Sequence, residues 1–145
     1  HVPRELAATA TVNAKDPDLI AKVRKLAGGR GARYCLEAAG FPQALRAAVE
    51  VLAPRGTACL VGSARPGVEV NLEMKTIQGG RIVRGCSQGE SQVQTFLPRL
   101  IELFGQGKFP IDRLVRHYSH AAINEAVADM LAGSTIKAVL RMAAA

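Results

Sequence analysis

Three short apolar runs in this sequence end at small residues, where backbone groups can approach a ligand. These ends are residues 39–40, 61–63 and 86–88. Neighbouring parallel strands end at the same edge of a sheet, and ligands bind in the crevice beyond those carboxyl ends. Exposed N–H and C=O groups at such ends can hold a flat polar ligand. We therefore predict a ligand-binding rim formed by these three segments.

The elements that must position this rim alternate between strand and helix. Residues 33–40, 57–63 and 81–87 are short apolar runs closed by or containing glycine, which is typical of parallel strands buried on both faces. Asp16 and Pro17 predict the start of a helix that ends before Gly28.

A second helix is predicted to begin at Pro42, and its apolar positions fall on one face. Its predicted buried residues are Leu45, Ala48, Val49 and Leu52. A turn at residues 54–56 leads into the next strand, so the alternation predicts an α/β fold. The segment 109–145 breaks the earlier rhythm, with a helix predicted from about residue 120, capped by Ser119, and a strand at 136–142.

Other residue types that could carry chemistry have simpler explanations. Glu37 lies near the end of a predicted strand, where its carboxylate can accept hydrogen bonds from the backbone of the adjacent loop. We favour that structural role over acid–base catalysis. Ser63 and Ser87 lack the G-x-S-x-G context of a hydrolase nucleophile, which makes a hydrolase unlikely.

The histidines and cysteines do not form a metal-binding pattern. The candidates are His1, His117, His120, Cys35, Cys59 and Cys86. No C-x-x-C spacing occurs, and a zinc site needs three or four converging ligands. We predict no metal site in this chain and interpret the cysteines as small buried side chains in a reducing compartment.

Composition limits the class of protein. The net charge is +7, but the basic residues are scattered, and aromatic residues make up only 4% of the chain, so base-stacking platforms for nucleic acid are nearly absent. No apolar run approaches the roughly 20 residues of a membrane span, and the first residues do not have a signal-peptide pattern. We expect a cytoplasmic protein that binds neither nucleic acid nor membrane.

Several segments together resemble the zinc-type medium-chain alcohol dehydrogenases. They are residues 37–40, 60–62, 79–85, 123–126 and 136–140, in family order and with family-like spacing. The resemblance implies the C-terminal part of such an enzyme: a partial Rossmann-like, doubly wound parallel sheet that lacks the first βαβ unit. Residues 1–108 would be the partial NAD(P)-binding domain, and residues 109–145 would return to the catalytic GroES-like domain.

Carried over by position, the resemblance also implies roles at the rim. Ala38, Ala39, Gly40 and Phe41 would line the adenosine side of the nicotinamide cofactor. Val61, Gly62 and Ser63 would approach the nicotinamide. The backbone of Cys86 and Gln88 would hold the carboxamide, with Ser87 near the substrate. Lys137 would reach a cofactor phosphate, although a solvated surface charge explains that lysine about equally well.

The same resemblance implies what this sequence does not contain. The catalytic zinc and its ligands would belong to the absent domain, so we expect this chain alone to be inactive. The parent would transfer a hydride between a primary or aromatic alcohol and NAD or NADP, and the corresponding aldehyde would be the other substrate. A homo-oligomer is expected, with residues 68–70 and 82–83 near the subunit contact.

Two other hypotheses remain open. One is a zinc-independent quinone or enoyl reductase of the same superfamily, which metal analysis of the parent would separate from the first. The other is a non-catalytic scaffold domain, which an open reading frame starting near His1 would favour. The sequence does not decide between NAD and NADP.

Sheet order in this family predicts an unusual edge. The segment 9–12 would be the third strand, and strands one and two would separate it from the strand at 33–40. Without them the latter strand has an unpaired apolar edge, which is a template for association. We therefore expect the isolated polypeptide to be poorly soluble, swapped with a partner or rearranged. A monodisperse monomer that unfolds cooperatively would contradict this.

Overall fold

The computed structural model describes residues 5–6 and 8–142. The chain divides into two compact units, residues 1–91 and residues 92–145. The first unit contains, in order, α1 (Leu19–Leu26), β1 (Ala32–Glu37), α2 (Pro42–Glu50), β2 (Leu52–Leu60), α3 (Met74–Gln78) and β3 (Ile82–Gly85). A 3-10 turn follows at Gln88–Glu90.

The three strands of the first unit form one parallel sheet in the order β1-β2-β3. Each strand follows its neighbour in sequence through a helical crossover, as parallel pairing requires. Glu37 lies opposite Leu60, and Leu60 lies opposite Gly85, so the carboxyl ends of the strands align. The predicted α/β fold with a parallel sheet is confirmed.

The core of the first unit lies between α2 and the sheet. Val49 and Leu52 are fully buried, and Leu45 and Ala48 are nearly so. Helical periodicity predicted all four as buried, but Leu52 was predicted on the helix and is instead the first residue of β2, because α2 ends at Glu50. Pro42 occupies the first turn of α2, where its missing N–H costs nothing, so this part of the prediction is also confirmed.

The prediction that residues 33–40 and 81–87 are buried on both faces is wrong, and all four residues of β3 are exposed. Tyr34 is 70% exposed and Leu36 is 73% exposed. In the part of the chain that the structure describes, β1 pairs only with β2 and forms an edge of the sheet. The predicted strand at residues 9–12 is also wrong, because that segment pairs with no described strand and stays irregular.

Two smaller predictions near helix and strand starts need correction. The first helix begins at Leu19, not Pro17, and Asp16 instead accepts a hydrogen bond from the Asp18 N–H at 2.9 Å. The predicted turn at residues 54–56 lies within β2 as an irregularity, because the pairing jumps from Leu52 to Thr57. Arg55 has a φ of 63° there.

The second unit contains α4 (Val93–Gly105), β4 (Val115–Ser119), α5 (Ile123–Leu131) and β5 (Lys137–Arg141), with 3-10 turns at Ile111–Leu114 and His120–Ala122. β4 and β5 pair in parallel, and α5 connects them. Ser119 precedes the 3-10 turn and makes no side-chain cap, so the predicted cap is wrong. Among the described residues, no helix is long and apolar enough to cross a membrane.

Candidate functional site

The carboxyl ends of the three strands in the first unit are joined by backbone hydrogen bonds. The N–H groups of Val61 and Gly62 donate to the carbonyl oxygen of Glu37 at 2.8 and 2.9 Å. The Cys86 N–H donates to the carbonyl oxygen of Leu60 at 3.0 Å. The three predicted ligand-binding segments therefore lie side by side on one rim.

The Glu37 side chain organises the loop that follows β1. Its Oε1 accepts hydrogen bonds from the N–H groups of Ala39 at 2.7 Å and Gly40 at 2.8 Å. The residue is only 3% exposed. The predicted structural role, a carboxylate that accepts backbone donors of the adjacent loop, is thus confirmed by these contacts.

Gly40 and Gly62 allow two backbone segments of the rim to approach closely. A Cβ on Gly40 would overlap the carbonyl group of Ser63, and Gly40 has a φ of +72°. A Cβ on Gly62 would overlap the backbone nitrogen of Gly40 and lie 2.7 Å from Oε2 of Glu37. Only glycine fits at either position without movement of the backbone.

Most residues of the rim are exposed to solvent. The exposed residues are Ala38, Ala39, Phe41, Val61, Ser63, Ser87 and Gln88. Gly40, Gly62 and Cys86 are half-buried beneath them. Small exposed residues over a tightly bonded backbone leave room for a ligand to lie across the three strand ends.

The end of β3 has a backbone conformation that the sequence analysis missed. Gln88, Gly89 and Glu90 have φ angles of 49°, 78° and 51°, so three successive residues are left-handed. The Arg84 guanidinium binds the Glu90 carboxylate at 2.8 Å across this turn. The Gln-Gly pair was the available signal, since glycine favours such turns. Non-glycine residues in this region are uncommon and concentrate at functional sites.

The thiols of Cys35 and Cys59 are not activated as nucleophiles. Burial raises the pKa of the Cys35 thiol, and the nearby Glu37 raises it further. Burial also raises the pKa of the Cys59 thiol, with the neighbouring Cys86 thiol as a second cause. Because the thiolate is the reactive form, both Cys35 and Cys59 are held in the unreactive thiol form.

A cleft of about 620 Å³ lies beside the end of β1. Leu36, Ala38 and Ala39 form one side, and Leu19 and Val23 of α1 form another. The lining is almost entirely apolar and includes Phe41. The cleft therefore extends from residues 38–41 to β1, the open edge of the sheet. Residues 38–41 are the segment predicted to lie on the adenosine side of a cofactor.

Lys137 lies in the second unit rather than on the rim segments. It is the first residue of β5, pairs with Val115 and is exposed. His117 and His120 also lie in this unit, on β4 and on the turn that follows it. Among the described residues, no three His, Cys, Asp or Glu side chains converge as a metal site would require.

Comparison with known proteins identifies the family. The family model described as zinc-binding dehydrogenase matches residues 3–104. Geraniol dehydrogenase of Castellaniella defragrans is 33% identical over 124 residues, which cover 85% of this chain and 33% of that enzyme. S-(hydroxymethyl)glutathione dehydrogenase of Komagataella pastoris is 32% identical, over 77% of this chain and 30% of that enzyme.

Solved structures agree with these relatives. The crystal structure of benzyl alcohol dehydrogenase from Acinetobacter calcoaceticus matches with a TM-score of 0.91 and 31% identity, over 98% of this chain and 39% of that one. An alcohol dehydrogenase zinc-binding domain protein from Burkholderia ambifaria matches with a TM-score of 0.90 and 39% identity, over 97% and 38%. The chain spans about a third of the length of the curated relatives it matches. It belongs to the zinc-binding dehydrogenases, the zinc-type medium-chain alcohol dehydrogenase family.

Proposed function

We propose that residues 1–108 bind NAD or NADP for an alcohol dehydrogenase, and that residues 109–145 return to its catalytic GroES-like domain. The observation that carries the proposal is the rim itself. Three strand ends are joined by backbone hydrogen bonds, and two glycines let the segments after β1 and β2 pack backbone against backbone. An open parallel sheet binds its ligand at this edge.

Each rim segment has a proposed part in holding the cofactor. Residues 38–41 line the adenosine side, and residues 61–63 approach the nicotinamide. The backbone of Cys86 and Gln88 holds the carboxamide, while Ser87 lies near the substrate. The exposure of residues 87–88 and the left-handed turn that begins at Gln88 support these parts, because left-handed backbone is concentrated at functional sites. For Lys137 the proposed partner is a cofactor phosphate, which a lysine binds as a point charge.

The substrate is proposed to be a primary or aromatic alcohol, interconverted with its aldehyde. A geraniol dehydrogenase and a benzyl alcohol dehydrogenase are among the similar proteins, and both names refer to primary alcohols. The nicotinamide cofactor supplies the hydride acceptor or donor. Zinc is held by the catalytic domain and not by this chain, and residues 1–145 alone are therefore inactive.

Location and assembly belong to the same proposal. The protein is cytoplasmic and forms a homo-oligomer, with residues 68–70 and 82–83 near the subunit contact. Val68, Ile82 and Val83 are 47%, 52% and 38% exposed, which leaves apolar surface for such a contact.

The test uses the protein as its host expresses it. NADH and NADPH are titrated by nicotinamide fluorescence, and oxidation of benzyl alcohol, geraniol and S-hydroxymethylglutathione is followed by absorbance of the reduced cofactor. We expect saturable binding of one cofactor and the highest kcat/KM with benzyl alcohol or geraniol. Absence of binding with both cofactors would overturn the cofactor role, and a preference for the glutathione adduct would overturn the substrate assignment.

A further inference from the structure

Glu37 is bonded to both of the backbone segments that meet at the centre of the rim. Its carbonyl oxygen accepts the N–H groups of Val61 and Gly62, which begin the segment after β2. Its side-chain Oε1 accepts the N–H groups of Ala39 and Gly40, which form the segment after β1. One residue therefore sets the position of four backbone N–H groups.

The second carboxyl oxygen of Glu37 is placed differently. Oε2 is buried and has no hydrogen-bond partner among the residues the structure describes. It lies against Gly62, where a Cβ would come within 2.7 Å of it. The carboxyl group thus fills the space between the two segments as well as bonding one of them.

The two carboxyl oxygens of Glu37 contribute differently to stability. Oε1 accepts two hydrogen bonds, whereas Oε2 loses its hydration and has no donor among the described residues. An apolar side chain of similar size would avoid the cost at Oε2 but would leave the Ala39 and Gly40 N–H groups without their acceptor. Glu37 lies where residues 39–40 and residues 61–62 meet. This position indicates that the ligand-binding rim, rather than the core, requires the residue.

We propose that Glu37 is a positioning residue for the cofactor: it holds residues 39–40 at a set distance from residues 61–62, so that one cofactor can lie across both. This inference rests on the proposed function of the rim. The acceptor at Oε1 orients the Ala39 and Gly40 N–H groups, and the body of the carboxyl group against Gly62 keeps the two segments apart. Glu37 itself does not touch the cofactor, because its oxygens are covered by the backbone it holds.

The experiment compares three substitutions of Glu37 in the protein as its host expresses it. E37Q keeps a carbonyl oxygen that can accept both N–H groups. E37D withdraws the acceptor by one methylene, and E37L removes it at similar volume. The control is V49A, which opens the buried core behind α2 without touching the rim. Cofactor Kd is measured by NADH or NADPH fluorescence below the melting range of every variant.

We expect E37D and E37L to raise the cofactor Kd about tenfold, and E37Q to raise it less than about threefold. The KM for the alcohol should change less than about twofold in all of them, since only the cofactor segments are displaced. V49A should lower the Tm and leave the cofactor Kd within about twofold of the wild type. Amide hydrogen exchange in residues 38–41 should be faster in E37D and E37L than in E37Q.

Two results separate this inference from the proposed function. If the wild type binds cofactor and E37D binds it within about twofold as tightly, Glu37 does not position the rim, although the rim still binds cofactor. If V49A weakens cofactor binding as much as E37L, the effect of Glu37 is one of stability alone. If the wild type binds neither NADH nor NADPH, both the function and this inference are overturned. Should E37L fail to fold, the comparison of E37D with E37Q decides.

Discussion

Glu37 in the first unit and the cluster of Tyr118, Asp129 and Thr135 in the second unit are both polar groups held in the interior, but they are satisfied to different degrees. The Tyr118 hydroxyl donates to Oδ2 of Asp129 at 2.7 Å and lies 2.6 Å from the Thr135 hydroxyl. Arg116 adds a salt bridge to the same Asp129 oxygen at 2.9 Å. Oε2 of Glu37, in contrast, has no partner among the described residues.

This difference in hydrogen bonding indicates different roles for Glu37 and for the cluster around Tyr118. The cluster around Tyr118 ties β4 to the end of α5 and to the segment before β5, with every member bonded, as expected of a network that stabilises a fold. Glu37 lies where two glycine-marked segments meet, and half of its carboxyl group is left without a donor. Among the described residues, Oε2 of Glu37 is the unpartnered carboxyl oxygen in the interior, and it lies at the rim where we place the function.

We expect the largest effect on stability and cofactor binding from a substitution that fills the space beside Glu37. G62A introduces a Cβ that overlaps the Gly40 backbone nitrogen, and because backbone cannot move aside cheaply we expect a loss of about 3 kcal/mol in the free energy of unfolding. In the folded fraction of G62A, the cofactor Kd should rise by about tenfold or more. Urea unfolding and fluorescence titration measure both quantities.

G85A is the matched control for that substitution. Gly85 lies on β3 near the same rim, with open space where the Cβ would be placed. We expect a change within about 0.5 kcal/mol and unaltered cofactor binding. Equal effects of the two substitutions would show that the close approach at Gly62 has no special importance.

Thr135 tests the satisfied cluster in the same way. T135V keeps the shape of a residue that is 5% exposed but removes its hydrogen bond to the Tyr118 hydroxyl. The cost should be about 1–2 kcal/mol in the free energy of unfolding, with no change in cofactor Kd. T95V, at an exposed threonine of α4, should stay within about 0.5 kcal/mol. Weaker cofactor binding in T135V would contradict the assignment of the Tyr118 cluster to stability and of Glu37 to cofactor binding.

The cluster should also respond to acid. The hydrogen bond from Tyr118 holds the pKa of Asp129 below its ordinary value, and Arg116 contributes in the same direction. A lowered pKa in the folded state gives stability that is present above the unfolded value of about 3.9 and is lost as pH falls through the folded value. The Tm of the wild type should therefore fall below about pH 4 more steeply than that of D129N. Parallel curves from pH 7 to pH 3 would rule out this contribution.

The smallest effect is expected from an exposed ion pair on α2. Glu50 binds Arg46 at 2.8 Å, one turn apart, with the arginine side chain half-exposed. E50Q should change the free energy of unfolding by less than about 0.5 kcal/mol and leave cofactor Kd unaltered. A larger loss in the free energy of unfolding would mean that even an exposed carboxylate of the first unit contributes strongly to stability. The effect of substituting the buried Glu37 would then say less about the rim.

Local patterns were sufficient for much of the fold and for the position of the rim. The spacing of Leu45, Ala48 and Val49 predicted the buried face of α2, because helical periodicity is a property of neighbouring residues. The apolar runs that end at Gly40 and Gly62 predicted strand ends that meet, because parallel strands share an edge. The part of Glu37 as an acceptor of loop N–H groups followed from its place near a strand end.

Tertiary structure alone decided how buried each element is and which atoms are left without partners. The run 33–40 has the composition of a central strand, yet Tyr34 and Leu36 are exposed because strand side chains point to the faces of the sheet, and their burial depends on what packs over each face. The unpartnered oxygen of Glu37 depends likewise on a segment distant in sequence, since it lies against Gly62. Periodicity and composition are local, whereas strand pairing, desolvation and close backbone approach are set by residues that the fold brings together.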